Sequence, residues 1–235
     1  MEECTDALIA YFEVELPKLD ISYQWTIPNI KGFAHSGEKG YEPNVKLKKY
    51  FNQQWKKAAT DEGEQLRLAK VIVADWGGVK GNKTDTLKRY VEELNNGIPA
   101  TPLKGVASYS KIFSIVDPNE YAIYDARVAA CLNAVQWNAG VKRGLAFNYI
   151  SGRNKVTGDA TQKRGFAHQT PFKVKSLVAN DWQRIKRDDT YQVYLDLLKR
   201  CLVHFTEYDM RDLEMILFAN AEKECEKALS IHQLR

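Results

Sequence analysis

Three observations predict a mainly α fold with a long basic loop region. Apolar residues recur three and four positions apart along most of the chain, the spacing that lines one face of a helix. Capping and helix-breaking residues fall at the ends of those stripes. Extended pattern is short and scarce, clearest at Tyr121-Ala122-Ile123-Tyr124, which leaves little room for a sheet.

In chain order, residues 5–15 form a helix with Leu8, Ile9, Phe12 and Leu16 on one face, and Pro17 stops it. Residues 21–43 contain Pro28, Gly32, Gly37, Gly40 and Pro43 and read as loop or short extended chain. Asn44 caps a helix to Ala59 whose buried stripe is Leu47, Tyr50, Phe51 and Trp55. Asp61 caps the next, which carries Leu66, Ala69, Val73 and Trp76 and halts at Gly77-Gly78. Thr84-Asp85-Thr86 opens a helix to Leu94, closed by Asn95-Asn96-Gly97. A turn from Ile98 to Val106 leads into a helix over residues 107–116, which Asp117-Pro118 ends. After the extended stretch, Asp125 starts a helix to about Trp137. Residues 140–183 are rich in Gly, Asn, Lys and Arg and lack long apolar stripes, so they are expected to form a partly ordered excursion. Two helices finish the chain, over residues 189–204 and 209–229. Their stripes are Tyr191, Tyr194, Leu195, Leu198 and Leu202, then Leu213, Ile216, Leu217 and Ala221. The expected organisation is one helical domain over residues 1–235. It has two lobes, 1–60 with 188–235 and 61–138, with 139–187 as a basic irregular segment.

At 44% hydrophobic and 27% charged residues, the composition supports a globular core. No apolar run approaches the roughly 20 residues that span a bilayer. The acidic start Met1-Glu2-Glu3-Cys4-Thr5-Asp6 is not that of a secretory signal, so the expectation is a soluble cytoplasmic protein with no membrane partner. Cys4, Cys131, Cys201 and Cys225 are far apart, and His35, His168, His204 and His232 show no metal-ligand spacing. Neither a disulfide framework nor a metal is expected. Net charge is +4, but it is unevenly spread. Residues 139–188 hold eleven basic and three acidic side chains, a net of +8, which leaves −4 for the rest. A basic segment on a mildly acidic body suits a polyanion.

The chemistry is carried by Leu103-Lys104-Gly105-Val106-Ala107 and, 22 positions from Leu103, Ile123-Tyr124-Asp125. A helix, a glycine turn and a second helix form a hairpin whose turn directs backbone N–H groups outward, where they can hold a phosphate. The chain then delivers an aspartate to a helix N-terminus. This pattern resembles the helix-hairpin-helix DNA glycosylases, in the branch related to 8-oxoguanine glycosylase. There a Leu-Pro-Gly-Val-Gly turn precedes a catalytic aspartate in a Val/Ile-x-Asp segment. Here Lys104 and Ala107 replace the proline and the second glycine, and Tyr109 takes the slot of the nucleophilic lysine found in bifunctional members. The resemblance covers about residues 84–135. It implies a helix-hairpin-helix glycosylase-like fold and a monofunctional enzyme with Asp125 as catalytic carboxylate. Lys111 is the second candidate catalytic group, or else a contact to phosphate or the partner of a carboxylate.

An aspartate suits that reaction, because cleaving an N-glycosidic bond builds positive charge on the sugar. The charge lies on the sugar, so the reaction needs no cofactor or metal. The base must first leave the stack and enter a pocket. Trp76, Tyr109, Tyr124, Trp137 and Phe147 are candidates for stacking on it. Lys104, Gly105, Ala107, Arg127, Arg143, Arg153 and Lys155 are candidates for the DNA backbone. His168 and Asp75 are weaker site candidates. The expected partner is double-stranded DNA, met by a monomer, and the substrate is a damaged base or a modified base of bacteriophage DNA. Two other readings fit the same residues: a DNA-binding module that keeps the hairpin without catalysis, and a helical protein–protein adaptor. As plain structure, Asp125 would be an N-cap and the basic run a solvated face.

Overall fold

The computed structural model describes residues 1–97 and 99–233, Gln233 by its backbone alone, and is mainly helical. The order is α1 (Glu2–Glu15), α2 (Leu19–Ser22), α3 (Tyr41–Ala58), α4 (Glu62–Lys70), a π-helical turn (Val71–Trp76), α5 (Thr84–Asn95) and α6 (Val106–Val116). There follow α7 (Ala126–Asn138), β1 (Leu145–Ala146), β2 (Arg153–Asn154), β3 (Gly158–Asp159), α8 (Val174–Ala179), β4 (Gln183–Arg184), α9 (Thr190–Leu202) and α10 (Met210–Gln233). The strands form two minimal pairs, β1 parallel to β4 and β2 antiparallel to β3.

The predicted helices are present, with four differences. Pro17 does not stop the first helical stretch. It sits in the first turn of a 3-10 segment, Leu16–Lys18, where a missing N–H costs nothing, and the chain continues into α2. Asn44 is not a cap. It lies inside α3, fully buried, and its Nδ2 donates to the carbonyls of Trp25 and Gly40, so it pins the preceding loop. Gly40, at φ +109°, opens that helix instead. Asp61 does cap α4, accepting from the Glu64 N–H at 3.0 Å, but the helix widens to π geometry at Val71. The turn before α6 begins at Ile98, which lies outside the described residues.

The fourth difference is residues 140–183, which are ordered and packed. Leu145, Phe147, Phe166, Phe172, Leu177 and Trp182 are buried along the segment. Two amides on α7 hold its entry. Asn133 accepts from the Phe147 N–H and donates to the Phe147 carbonyl, both at 3.0 Å. Gln136 does the same for Leu145, at 2.8 and 3.1 Å. These side chains satisfy buried backbone groups as a neighbouring strand would. Apart from the half-buried Lys173, the basic side chains of the segment, Arg143, Arg153 and Lys155 among them, stay exposed.

One continuous apolar core runs through both expected lobes, from Leu8 and Phe12 in α1 to Leu213 and Leu217 in α10. Helices α7 and α10 pack along each other, with Ala130, Ala134, Cys225 and Ala228 in a smaller cluster between them. All four cysteines are buried and unpaired, so they act as small apolar groups. No described helix is long and apolar enough to cross a membrane.

Candidate active site

A cavity of about 920 Å³ opens where α6, α7 and α10 meet the turn after α4. Asp125 is at its edge. The chain reaches Asp125 through residues 122–124, which have no helix or strand to satisfy their backbone. Side chains do so instead. Tyr191 Oη donates to the Ala122 carbonyl at 2.8 Å and Tyr194 Oη to that of Ile123 at 3.0 Å. The Tyr124 N–H donates to Ser110 Oγ, and Tyr124 Oη reaches the Asn148 carbonyl. Ser110, Tyr191 and Tyr194 are buried, so Asp125 stands on a fixed support.

Asp125 caps α7 with one oxygen only. Its Oδ1 accepts the N–H groups of Arg127 and Val128 at 2.9 and 3.0 Å. Its Oδ2 takes no hydrogen bond from any described residue, and the side chain lines the cavity. The cap fixes the carboxylate at a helix N-terminus while one oxygen stays available.

Lys111 shares the cavity. It comes from α6, is 7% exposed, and donates from Nζ to the Ala107 carbonyl at 2.9 Å. Burial pushes its pKa below the usual lysine value, against the pull of the Asp125 and Glu214 charges. Its stem crosses Gly77 closely: a Cβ there would lie 2.5 Å from Lys111 Cδ. The π turn prepares this crossing. Its wider register lets the Gly77 N–H reach the Ile72 carbonyl at 3.0 Å and carries Trp76 and Gly77 to the cavity wall.

Glu214 of α10 also faces the cavity, although it is only 3% exposed. Its Oε2 accepts from Lys48 Nζ at 2.6 Å, and that ammonium lies 6.0 Å from the Trp76 ring centre. Desolvation raises the Glu214 pKa and the Lys48 charge opposes the rise. The apolar wall is aromatic. Phe218 makes an edge contact with Trp25 at 5.5 Å and lies 6.0 Å from Tyr23. Arg127 sits over Phe218 at 5.0 Å and pairs with Glu222 at 2.6 Å.

The expected site residues therefore divide. Trp76, Ala107, Lys111, Asp125, Arg127 and Arg153 converge on the cavity. The structure places Tyr109, Tyr124 and Phe147 in the core, where the two hydroxyls bond the carbonyls of Pro102 and Asn148. Trp137 packs against Phe172 at 5.0 Å. Gly105, at φ +86°, opens α6, and a Cβ there would meet Tyr90 Oη, so the turn needs glycine twice over. The N–H groups of Gly105 and Ala107 find no acceptor among the described residues. Lys104 is exposed beside them. Arg143 and Lys155 are exposed on the basic segment, and Arg153 reaches the Gly78 carbonyl at 3.3 Å. Asp75 points to solvent outside the cavity, and His168 lines a smaller one beside it.

Sequence reasoning did not find Glu214, Lys48, Tyr23, Trp25 or Phe218. One signal was present: Glu214 interrupts the apolar run Leu213-Glu214-Met215-Ile216-Leu217, a place where a carboxylate needs a reason. Among the described residues, no three His, Cys, Asp or Glu side chains gather as metal ligands. Compared with protein-family models, curated proteins and solved structures, the chain matches none.

Proposed function

We propose that this protein is a DNA glycosylase that flips a modified or damaged base from duplex DNA and hydrolyses its N-glycosidic bond. One observation carries the reading: a rigidly held aspartate with an unengaged oxygen faces a cavity of about 920 Å³ that also holds aromatic walls and a buried lysine. A base fits such a space, with Trp76 and the Phe218 wall available for stacking. In this reading α5 and α6 are the hairpin helices and the Gly105 turn holds a phosphate. Exposed Lys104, Arg143, Arg153 and Lys155 track the DNA backbone. The protein works as a cytoplasmic monomer, in repair or in defence against bacteriophage with modified DNA.

The Asp125 carboxylate stabilises the oxocarbenium-like sugar as the C1′–N bond breaks and orients the attacking water. The water oxygen bonds to C1′, its proton is released, and the base leaves protonated. The burial of Lys111 favours a second course. A lysine with a lowered pKa has more free amine, which can attack C1′, expel the base and form a Schiff base with the opened sugar.

The test is base excision on duplexes that each carry one modified base, read as alkali-labile abasic sites. Asp125→Asn keeps the cap and is expected to lose about 100-fold or more in rate. Excision equal to that of the parent protein overturns the reading. Borohydride trapping separates the two courses, because only the amine gives a covalent adduct, and Lys111→Met should abolish it.

A further inference from the structure

A second cavity of about 200 Å³ adjoins the first, and Ala126, Ser151 and Ala160 line both. Ala126 directly follows Asp125, so the smaller chamber begins one residue from the proposed catalytic carboxylate. Three polar side chains in its lining, the exposed Ser151 together with Thr157 and His168, have no side-chain hydrogen-bond partner among the described residues. Thr157 is 1% exposed, and its Oγ1 is buried and unpaired. The His168 ring lines the same chamber and bonds to no described group. By contrast, Tyr149 Oη already donates to the Phe172 carbonyl at 2.8 Å.

A buried hydroxyl without a partner is destabilising, and a ligand that bonds to it removes that cost. The lining holds no carboxylate, lysine or arginine, which disfavours a charged group. A hydroxyl and an imidazole can each donate and accept, and a small neutral group that answers both is another hydroxyl. Resting on the glycosylase reading, we propose that the side chamber receives a neutral, hydroxyl-bearing substituent of the flipped base, held by Thr157 and His168. The ring occupies the main cavity, and the substituent passes the small side chains of Ala126 and Ala160.

The test uses two pairs of duplexes that differ by one hydroxyl: 5-hydroxymethyluracil against thymine, and 5-hydroxymethylcytosine against 5-methylcytosine. Binding is measured with the Asp125→Asn protein, which leaves the base in place, and a tetrahydrofuran abasic duplex serves as control. The expected result is binding about tenfold tighter to the hydroxymethyl member of at least one pair. Thr157→Val should erase that preference and leave abasic-duplex binding unchanged. Two results overturn the inference: no preference in either pair, or a preference that survives Thr157→Val while only the melting temperature rises. If no duplex binds, the abasic control included, the glycosylase reading has failed and the substituent chamber fails with it. If the abasic duplex binds and the pairs do not differ, the chamber alone has failed.

Discussion

At Asp125 a single side chain meets two demands that are usually opposed. A cap needs its carboxylate engaged and a catalyst needs it available, and dividing the two oxygens satisfies both. Asp125→Asn is therefore expected to change unfolding free energy by less than about 0.5 kcal/mol, and Asp125→Ala to cost about 1 kcal/mol, measured by denaturant titration. Lys111 shows a cost that function would explain. Its native pKa lies below 10.5, so the native state binds fewer protons than the unfolded chain across that window. Stability should climb as pH rises from the depressed value toward about 10.5, and Lys111→Met should remove that slope. The same substitution should raise stability at neutral pH by about 1 kcal/mol, since it relieves a buried charge. Gly77→Ala should cost about 1–3 kcal/mol and displace the Lys111 stem, a shift visible in borohydride trapping if the amine course operates. The sequence made Asp125 legible because a cap position has a residue signature. It could not separate Trp76 from Tyr109 or Tyr124, because a buried aromatic and a pocket aromatic share one signature.

At the scale of elements, apolar periodicity exposed most of the helices, and Asp61, Gly77-Gly78 and Asp117 marked real ends. The π turn was not legible, since one extra residue per turn leaves no compositional trace. Nor was the order in residues 140–183. Its anchors are scattered single aromatics and two distant amides, neither of which makes a periodic stripe. Those amides lie one turn apart on α7 and hold alternate residues, Leu145 and Phe147. Asn133→Leu should cost about 2–3 kcal/mol, because it leaves both backbone groups of Phe147 buried and unpaired. Hydrogen exchange should then show the Phe147 amide opening well before the α7 and α10 amides.

Across the molecule, charge and core are laid out separately. Apolar contacts run unbroken from α1 to α10, while the excess of basic residues sits on one surface segment. If that surface meets phosphates, duplex affinity falls steeply with salt. Arg153→Gln and Lys155→Gln should each reduce the slope of log affinity against log salt by about 1. Fluorescence anisotropy at several salt concentrations measures it, and an unchanged slope removes those residues from the interface.

The grip of Asn133 and Gln136 has a consequence for how this molecule can be re-engineered. Both amides hold backbone, so they read no side chain of the segment they carry. The stretch between Phe147 and Gln183 can thus take new residues at its exposed positions, and so bring new chemistry to the cavity rim, as long as Phe166 and Phe172 keep their packing on Ala130 and Ala134 of α7 and the clip at Leu145 and Phe147 holds its entry.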